Sequence, residues 1–165
     1  MNRIALFLLA TLGVAAVATA AFSPAASGSQ SAWLRPQQSP VTFLKVVIGK
    51  LAANDYARAW TSLHPSHQQV APEAEYVACE RLSPVPGRLV SLVPLRVQRK
   101  QISVAGLEGT VSGTVVTFRM RLADRALGAA VTLKLSAAAV PVDGSWTWML
   151  PRARYELYRD DACGL

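Results

Sequence analysis

The sequence predicts an α+β domain, with N-terminal helices packed on one face of a curved, mainly antiparallel, cone-like sheet. Apolar residues recur at helical spacing as far as about residue 82, and the period changes to two after Gly87. Asp143-Gly144 then stands between two extended runs as a two-residue hairpin turn. Helices segregated from strands argue α+β and exclude a parallel sheet with alternating helices.

The first helix starts at Ser39-Pro40, a hydroxyl cap followed by Pro at the first helical position. Phe43, Leu44, Val47, Ile48 and Leu51 form its apolar stripe. Asn54-Asp55 breaks the run and caps a second helix with Tyr56, Ala59, Trp60 and Leu63 on one face, ended by Pro65. Pro72 opens a third, short helix that buries Tyr76, Cys79 and Leu82, with Glu73 and Glu75 complementing the helix dipole.

Strands follow at Leu89–Val104, Val115–Leu122 and Val131–Val140. Pro94 suggests an edge or a bulge in the first. Val116, Phe118, Met120 and Leu122 share one face, as do Val131, Leu133 and Leu135 in the next strand. After the hairpin, Trp146, Trp148 and Leu150 share a face. Beyond Pro151 the apolar set moves to Ala153, Tyr155 and Leu157, which reads as a bulge within one strand.

Of 165 residues, 52% are hydrophobic and 16% charged, so the chain as a whole is not disordered, and its length suits one domain. Residues 1–20 pattern as a secretory signal: Arg3, an apolar run from Ile4, and small residues in Ala18-Thr19-Ala20. Cleavage is expected after Ala20 or within residues 21–26. The other reading is an uncleaved anchor, because the run from Ile4 to Phe22 just reaches spanning length. Residues 21–38, rich in Ser, Pro and Gln, read as a flexible leader, and residues 39–163 as the folded domain. Export places the chain in a secreted or extracytoplasmic setting, or at the cell surface if the signal stays. Cys79 and Cys163, the only cysteines, are then expected to bridge.

Common catalytic motifs are missing. Ser112 is not in a nucleophile elbow, and Gly106, Gly109 and Gly113 have the wrong spacing for a dinucleotide loop and read as turn or bulge glycines. Pro65 keeps His64 and His67 from presenting one helical face. The expectation is that His64 bonds at a helix end and His67 is solvated, with no metal site and no cofactor. Glu80-Arg81 reads as a solvated charge pair. The core-facing positions Val116, Phe118, Met120, Val131, Leu133, Leu135, Trp146 and Trp148 include no acid, base or His. No catalytic residue is assigned.

Asn54-Asp55-Tyr56-x-x-Ala59-Trp60-x-x-Leu63-His64-Pro65, Tyr76-Val77-Ala78-Cys79-Glu80 and Asp143-Gly144-Ser145-Trp146-x-Trp148 together resemble the nuclear transport factor 2-like (SnoaL-like, cystatin-like cone) superfamily, and more narrowly small exported actinobacterial members. The resemblance spans about residues 40–160. It implies a cone whose relatives include isomerases, dehydratases and binding proteins, with an acid–base group on the inner wall in the enzymes. This chain departs from the enzyme pattern there.

Two surfaces remain as candidates. Tyr56, Trp60, His64, Phe118, Trp146 and Trp148 could line a pocket for a small apolar ligand, or could simply fill the core. Arg119, Arg121 and Lys134 share the outward parity of neighbouring strands, and Arg96, Arg99, Lys100, Arg152 and Arg154 are expected to lie nearby on the fold. That face could attract anionic polymers or acidic partners, or could be a solvated, charge-protected sheet. No aromatic residues alternate with these cations to stack bases, so nucleic acid is not an expected partner. The expected function is a secreted, non-enzymatic binding module for a small apolar ligand or a protein. The alternatives are a pocket enzyme of isomerase or lyase type and an electrostatic binder of anionic surface polymers. Like charges on the sheet disfavour a symmetric dimer, so a monomer or weak dimer is expected, and the membrane would be touched only through residues 1–20.

Overall fold

The computed structural model describes residues 38–124 and 128–163. The expected signal, and the leader apart from Gln38, lie outside these residues. Among the described residues the architecture is α+β: five helices and a four-stranded antiparallel sheet, curved but not closed into a barrel.

Helix α1 (Pro40–Ala52) begins as its sequence dictates, Ser39 Oγ accepting from the Thr42 N–H at 3.1 Å. It buries Phe43, Leu44, Val47, Ile48 and Ala52. Asn54 adopts a left-handed backbone (φ 59°), which asparagine tolerates better than most residues. Its Oδ1 accepts from the Tyr56 hydroxyl (2.6 Å) and the Val85 N–H (2.9 Å), tying the turn to the segment before the sheet. Helix α2 (Tyr56–Trp60) is shorter than the stripe suggests. Pro65 does not merely end it. Pro65 starts α3 (Pro65–Val70), whose cap is His64, Nδ1 accepting from the Ser66 N–H at 3.2 Å. Helix α4 (Glu73–Arg81) carries Glu73 and Glu75 in its first turn. It buries Tyr76 and Cys79, but Leu82 lies beyond its last turn and is 64% exposed, contrary to expectation.

Strands β1 (Arg88–Ile102), β2 (Val111–Asp124), β3 (Ala129–Val142) and β4 (Ser145–Trp148) form a simple meander in that order. Register shifts at Leu89/Ser91 and Pro94/Arg96 leave Val90 and Leu95 as extra residues in β1. Bulges and a proline without an N–H both discourage a further strand from pairing with this edge. The β3–β4 turn is Asp143-Gly144, both at positive φ.

The segment after Pro151 corrects the strand expectation. It is helix α5 (Arg152–Arg159), burying Tyr155 and Tyr158, which stand three apart. The odd-position pattern Ala153, Tyr155, Leu157 resembles an alternation because the stretch is too short to separate periods of 2 and 3.6. Pro151 rejects neither state at its first position.

The main core packs α1 and the aromatic side chains of α2, α4 and α5 against Val116, Phe118 and Ala139 of the sheet. A second, small core lies on the sheet's other face, where Val104, Val140 and Met149 gather with Ile102, Leu107 and Val111. Gly113 permits this, since a Cβ there would meet the Ile102 side chain. Val131 and Leu133 have core-facing parity but remain 36% and 43% exposed. Their strand end receives less cover than parity alone implies.

Candidate functional site

Cross-strand partners share a face, so the register of β1–β3 determines what the sheet presents to solvent. Thr114, Val116, Phe118 and Leu122 are buried, which places the alternate positions of β2 on the opposite side. That outer side is built in rows. Arg88 pairs with Ala123, Ser91 with Arg121, Val93 with Arg119, Arg96 with Thr117, and Lys100 with Gly113. On the other flank Arg121 meets Thr132, Arg119 meets Lys134, and Thr117 meets Ser136. Thr117 and Ser136 share a hydroxyl–hydroxyl hydrogen bond of 2.9 Å. Arg88, Arg96, Lys100, Arg119, Arg121 and Lys134 therefore occupy one face, and all six are exposed.

The three long strands contain seven basic residues and one acid, Asp124. Their net charge of +6 compares with +7 for the whole chain. Among the described residues, ion pairs join Arg58 to Asp55, Arg152 to Glu156, Arg154 to Glu80 and Arg159 to Asp160, and none involves a cation of this face. Arg119 and Lys134 stand directly opposite each other, a like-charge pairing that costs stability. Arg152 and Arg154, expected beside this set, belong instead to α5, and Arg99 takes the alternate parity.

The aromatic candidates are placed differently. Tyr56, Phe118 and Trp148 are buried members of the main core, with Trp60 and Trp146 packed against it. Each indole N–H is satisfied by a carbonyl: Trp60 by Ala71 (2.7 Å), Trp146 by Gln38 (2.8 Å) and Trp148 by Ala59 (2.9 Å). These bonds lock the helical layer to itself and to β4. His64 lies apart as the α3 cap, its imidazole also bonded to the Ser66 hydroxyl at 2.7 Å. An open groove of about 500 Å³ lies instead beside α2 and α4, lined by Ala57, Glu73, Ala74, Val77, Ala78 and Arg81. None of the six candidates lines it.

Two polar groups, the buried His67 and the half-buried Glu80, carry no signal in the sequence pattern. His67 is fully buried, not solvated. Its Nδ1 accepts from the Leu150 N–H (3.0 Å), so the proton belongs on Nε2, which donates to the Ala105 carbonyl (3.0 Å). One imidazole thus ties α3 to the β1–β2 connection and to the chain entering α5. Burial lowers its pKa, partly opposed by the Ala105 bond. Glu80 is not paired with Arg81. Its carboxylate accepts from Arg154 Nη2 and the Tyr158 hydroxyl, both at 2.8 Å. Burial, followed by the bond to Glu80, raises the Tyr158 pKa far above its ordinary value. The bridge Cys79–Cys163 joins the same two regions, α4 and the tail after α5, with Cα atoms 5.7 Å apart. The His67 and Glu80 arrangements are structural clamps whose polar atoms are engaged with protein partners. Among the described residues no three His, Cys, Asp or Glu side chains gather as metal ligands.

No family model and no curated protein matches this chain. Among solved structures, the chain is similar to a SEC-C motif containing protein from Rhodopseudomonas palustris, at 16% identity, covering 70% of this chain and 79% of that one, with a TM-score of 0.49. These findings overturn the resemblance to the nuclear transport factor 2-like superfamily, which no comparison supports. The motifs behind it are local solutions: a left-handed Asn before a cap, a His-Pro helix start and an Asp-Gly turn. Any α+β chain can reuse them.

Proposed function

We propose that this protein is an exported, non-enzymatic binding module whose working surface is the basic outer face of its sheet, and that it holds polyanionic partners outside the cytoplasm. Export rests on the signal pattern of residues 1–20, and the paired cysteines are compatible with an oxidising compartment. The observation that carries the binding reading is the placement of Arg119 opposite Lys134, inside a face without a pairing carboxylate among the described residues. Interspersing both signs would serve solubility, and an acid opposite either cation would serve stability. A face that keeps only cations favours an external anion. Four of the six are arginines, suited to two-pronged contacts with phosphate or carboxylate, and the hydroxyls beside them add donors.

The test is retention of the full chain on a phosphate-bearing resin under a salt gradient. Parent protein should elute late. The double variant Arg119→Glu, Arg121→Glu should elute near the start. Co-elution of the two would remove the reading. Export is tested separately by the N-terminus of protein collected outside the cell, expected at Ala21.

A further inference from the structure

The cationic face is not purely polar, and exposed apolar residues are concentrated at one end of the sheet. Eight large apolar residues are exposed among the described residues, and six lie on β1 or β3: Val90, Val93, Leu95, Val97, Val131 and Leu133. The register gathers four of the six toward the β2–β3 turn. Val131 pairs with Leu122 and Leu133 with Met120, on the parity of the helical side. Val93 pairs with Arg119, on the outer side, and Val90 lies in the bulge between Leu89 and Ser91. Arg88, Arg119, Arg121 and Lys134 occupy the same rows or adjacent ones. This end of the sheet therefore combines exposed aliphatic side chains, from both of its sides, with four cations. Ala129 and Ala130 are exposed beside it.

A soluble polyanion has a use for the cations and none for the aliphatic groups. An anionic bilayer has a use for both: its headgroups attract the basic residues, and its acyl boundary takes up aliphatic side chains. Val93 shares its row with Arg119, and Val131 and Leu133 alternate along β3 with Thr132 and Lys134, so cations and aliphatic groups interleave at this end of the sheet. The long cationic side chains reach headgroups where the short aliphatic ones meet the acyl boundary. Resting on the proposed basic binding face, we infer that this end of the sheet docks on an anionic lipid bilayer, with the cations at the headgroups and Val93, Val131 and Leu133 at the acyl boundary. The sequence alone confined membrane contact to residues 1–20. The sheet supplies a second, peripheral contact.

The experiment measures co-sedimentation of the full chain with phosphatidylcholine vesicles, with and without about 30 mol% phosphatidylglycerol, enough for a strongly negative surface. Retention on phosphate resin is measured in parallel. All variants keep the same N-terminus, so differences among them report on the sheet. Binding should require phosphatidylglycerol and fall about thirtyfold or more in Arg119→Glu, Arg121→Glu. It should fall about fivefold or more in Val131→Ser, Leu133→Ser, whose resin retention should match the parent. Val93→Ser, on the outer face, gives an independent aliphatic variant if the first pair melts early. Vesicle binding unchanged in both aliphatic variants overturns the inference. So does resin retention without any vesicle binding, a result that leaves the basic-face reading standing. Loss of both retention and vesicle binding in the parent overturns both.

Discussion

At the residue scale, the chain separates polar groups that hold the fold from those that face outward. His67 belongs to the first kind. Its neutral ring satisfies one backbone N–H and one backbone carbonyl in the interior. Burial holds its pKa below the ordinary 6.5, so the unfolded chain binds a proton in mild acid that the folded chain refuses. Its contribution is complete above about pH 6.5 and declines as pH falls below that value toward the folded pKa. Urea midpoints should drop between about pH 7.5 and 5 in the parent. His67→Phe should be less stable at neutral pH by roughly 2–4 kcal/mol and show a flatter decline, with His64 supplying a remainder. An equal slope in parent and variant would contradict this role. Arg119 belongs to the second kind. Replacing it with Glu turns a repulsive cross-strand pair into an attractive one. Arg119→Glu should therefore raise stability by roughly 0.5–1 kcal/mol, or about 2–5 °C in a thermal melt. A gain in stability together with a loss of anion binding is the signature of a cation kept for function. The two roles are not equally legible. Strand parity places Arg119, whereas His-Pro-Ser-His has no period to show that His67 turns inward.

At the element scale, the C-terminal helix depends on α4. Two devices fasten it: the Glu80 carboxylate shared by Arg154 and Tyr158, and the bridge Cys79–Cys163. The bridge closes 84 residues, for which chain entropy assigns at most about 4–5 kcal/mol. Reduction should lower the melting temperature by roughly 10–20 °C. Glu80→Gln should cost roughly 1–3 kcal/mol, since Arg154 keeps partial solvent contact. The two losses should not add, because both act on one α4–α5 junction. Additive losses, measured by melts of the variant with and without reductant, would show two independent fastenings instead. A single pair of cysteines announces the bridge, and caps and stripes announce α1 and α4. Helices α3 and α5 stay hidden at that level. Each is under nine residues long and begins at or just after a proline, and too few turns are present for a helical period to stand out.

At the scale of the whole molecule, the sheet divides the protein's chemistry. One side is joined to the helices by aliphatic and aromatic packing and by indole N–H bonds that lock the helical layer to itself and to β4. The other side, away from its small secondary core, carries six exposed cations. Alternation in β2 and β3 makes this division readable in the residue order itself. The bulges of β1 shift its parity twice, so Arg88, Arg96 and Lys100 join the face only once the register is known. Tyr56, Trp60, Phe118, Trp146 and Trp148 lie in or against the main core, and the indole bonds among them depend on distant carbonyls that no local pattern encodes. Segregation of charge on this scale is the basis of the proposed polyanion binding, and salt dependence reports it most directly. Binding of the full chain to long-chain polyphosphate should weaken steeply as salt rises. Arg119→Glu, Arg121→Glu should flatten the logarithmic slope by about two units, roughly one for each ion contact removed. An identical slope in parent and variant would contradict the assignment of this face.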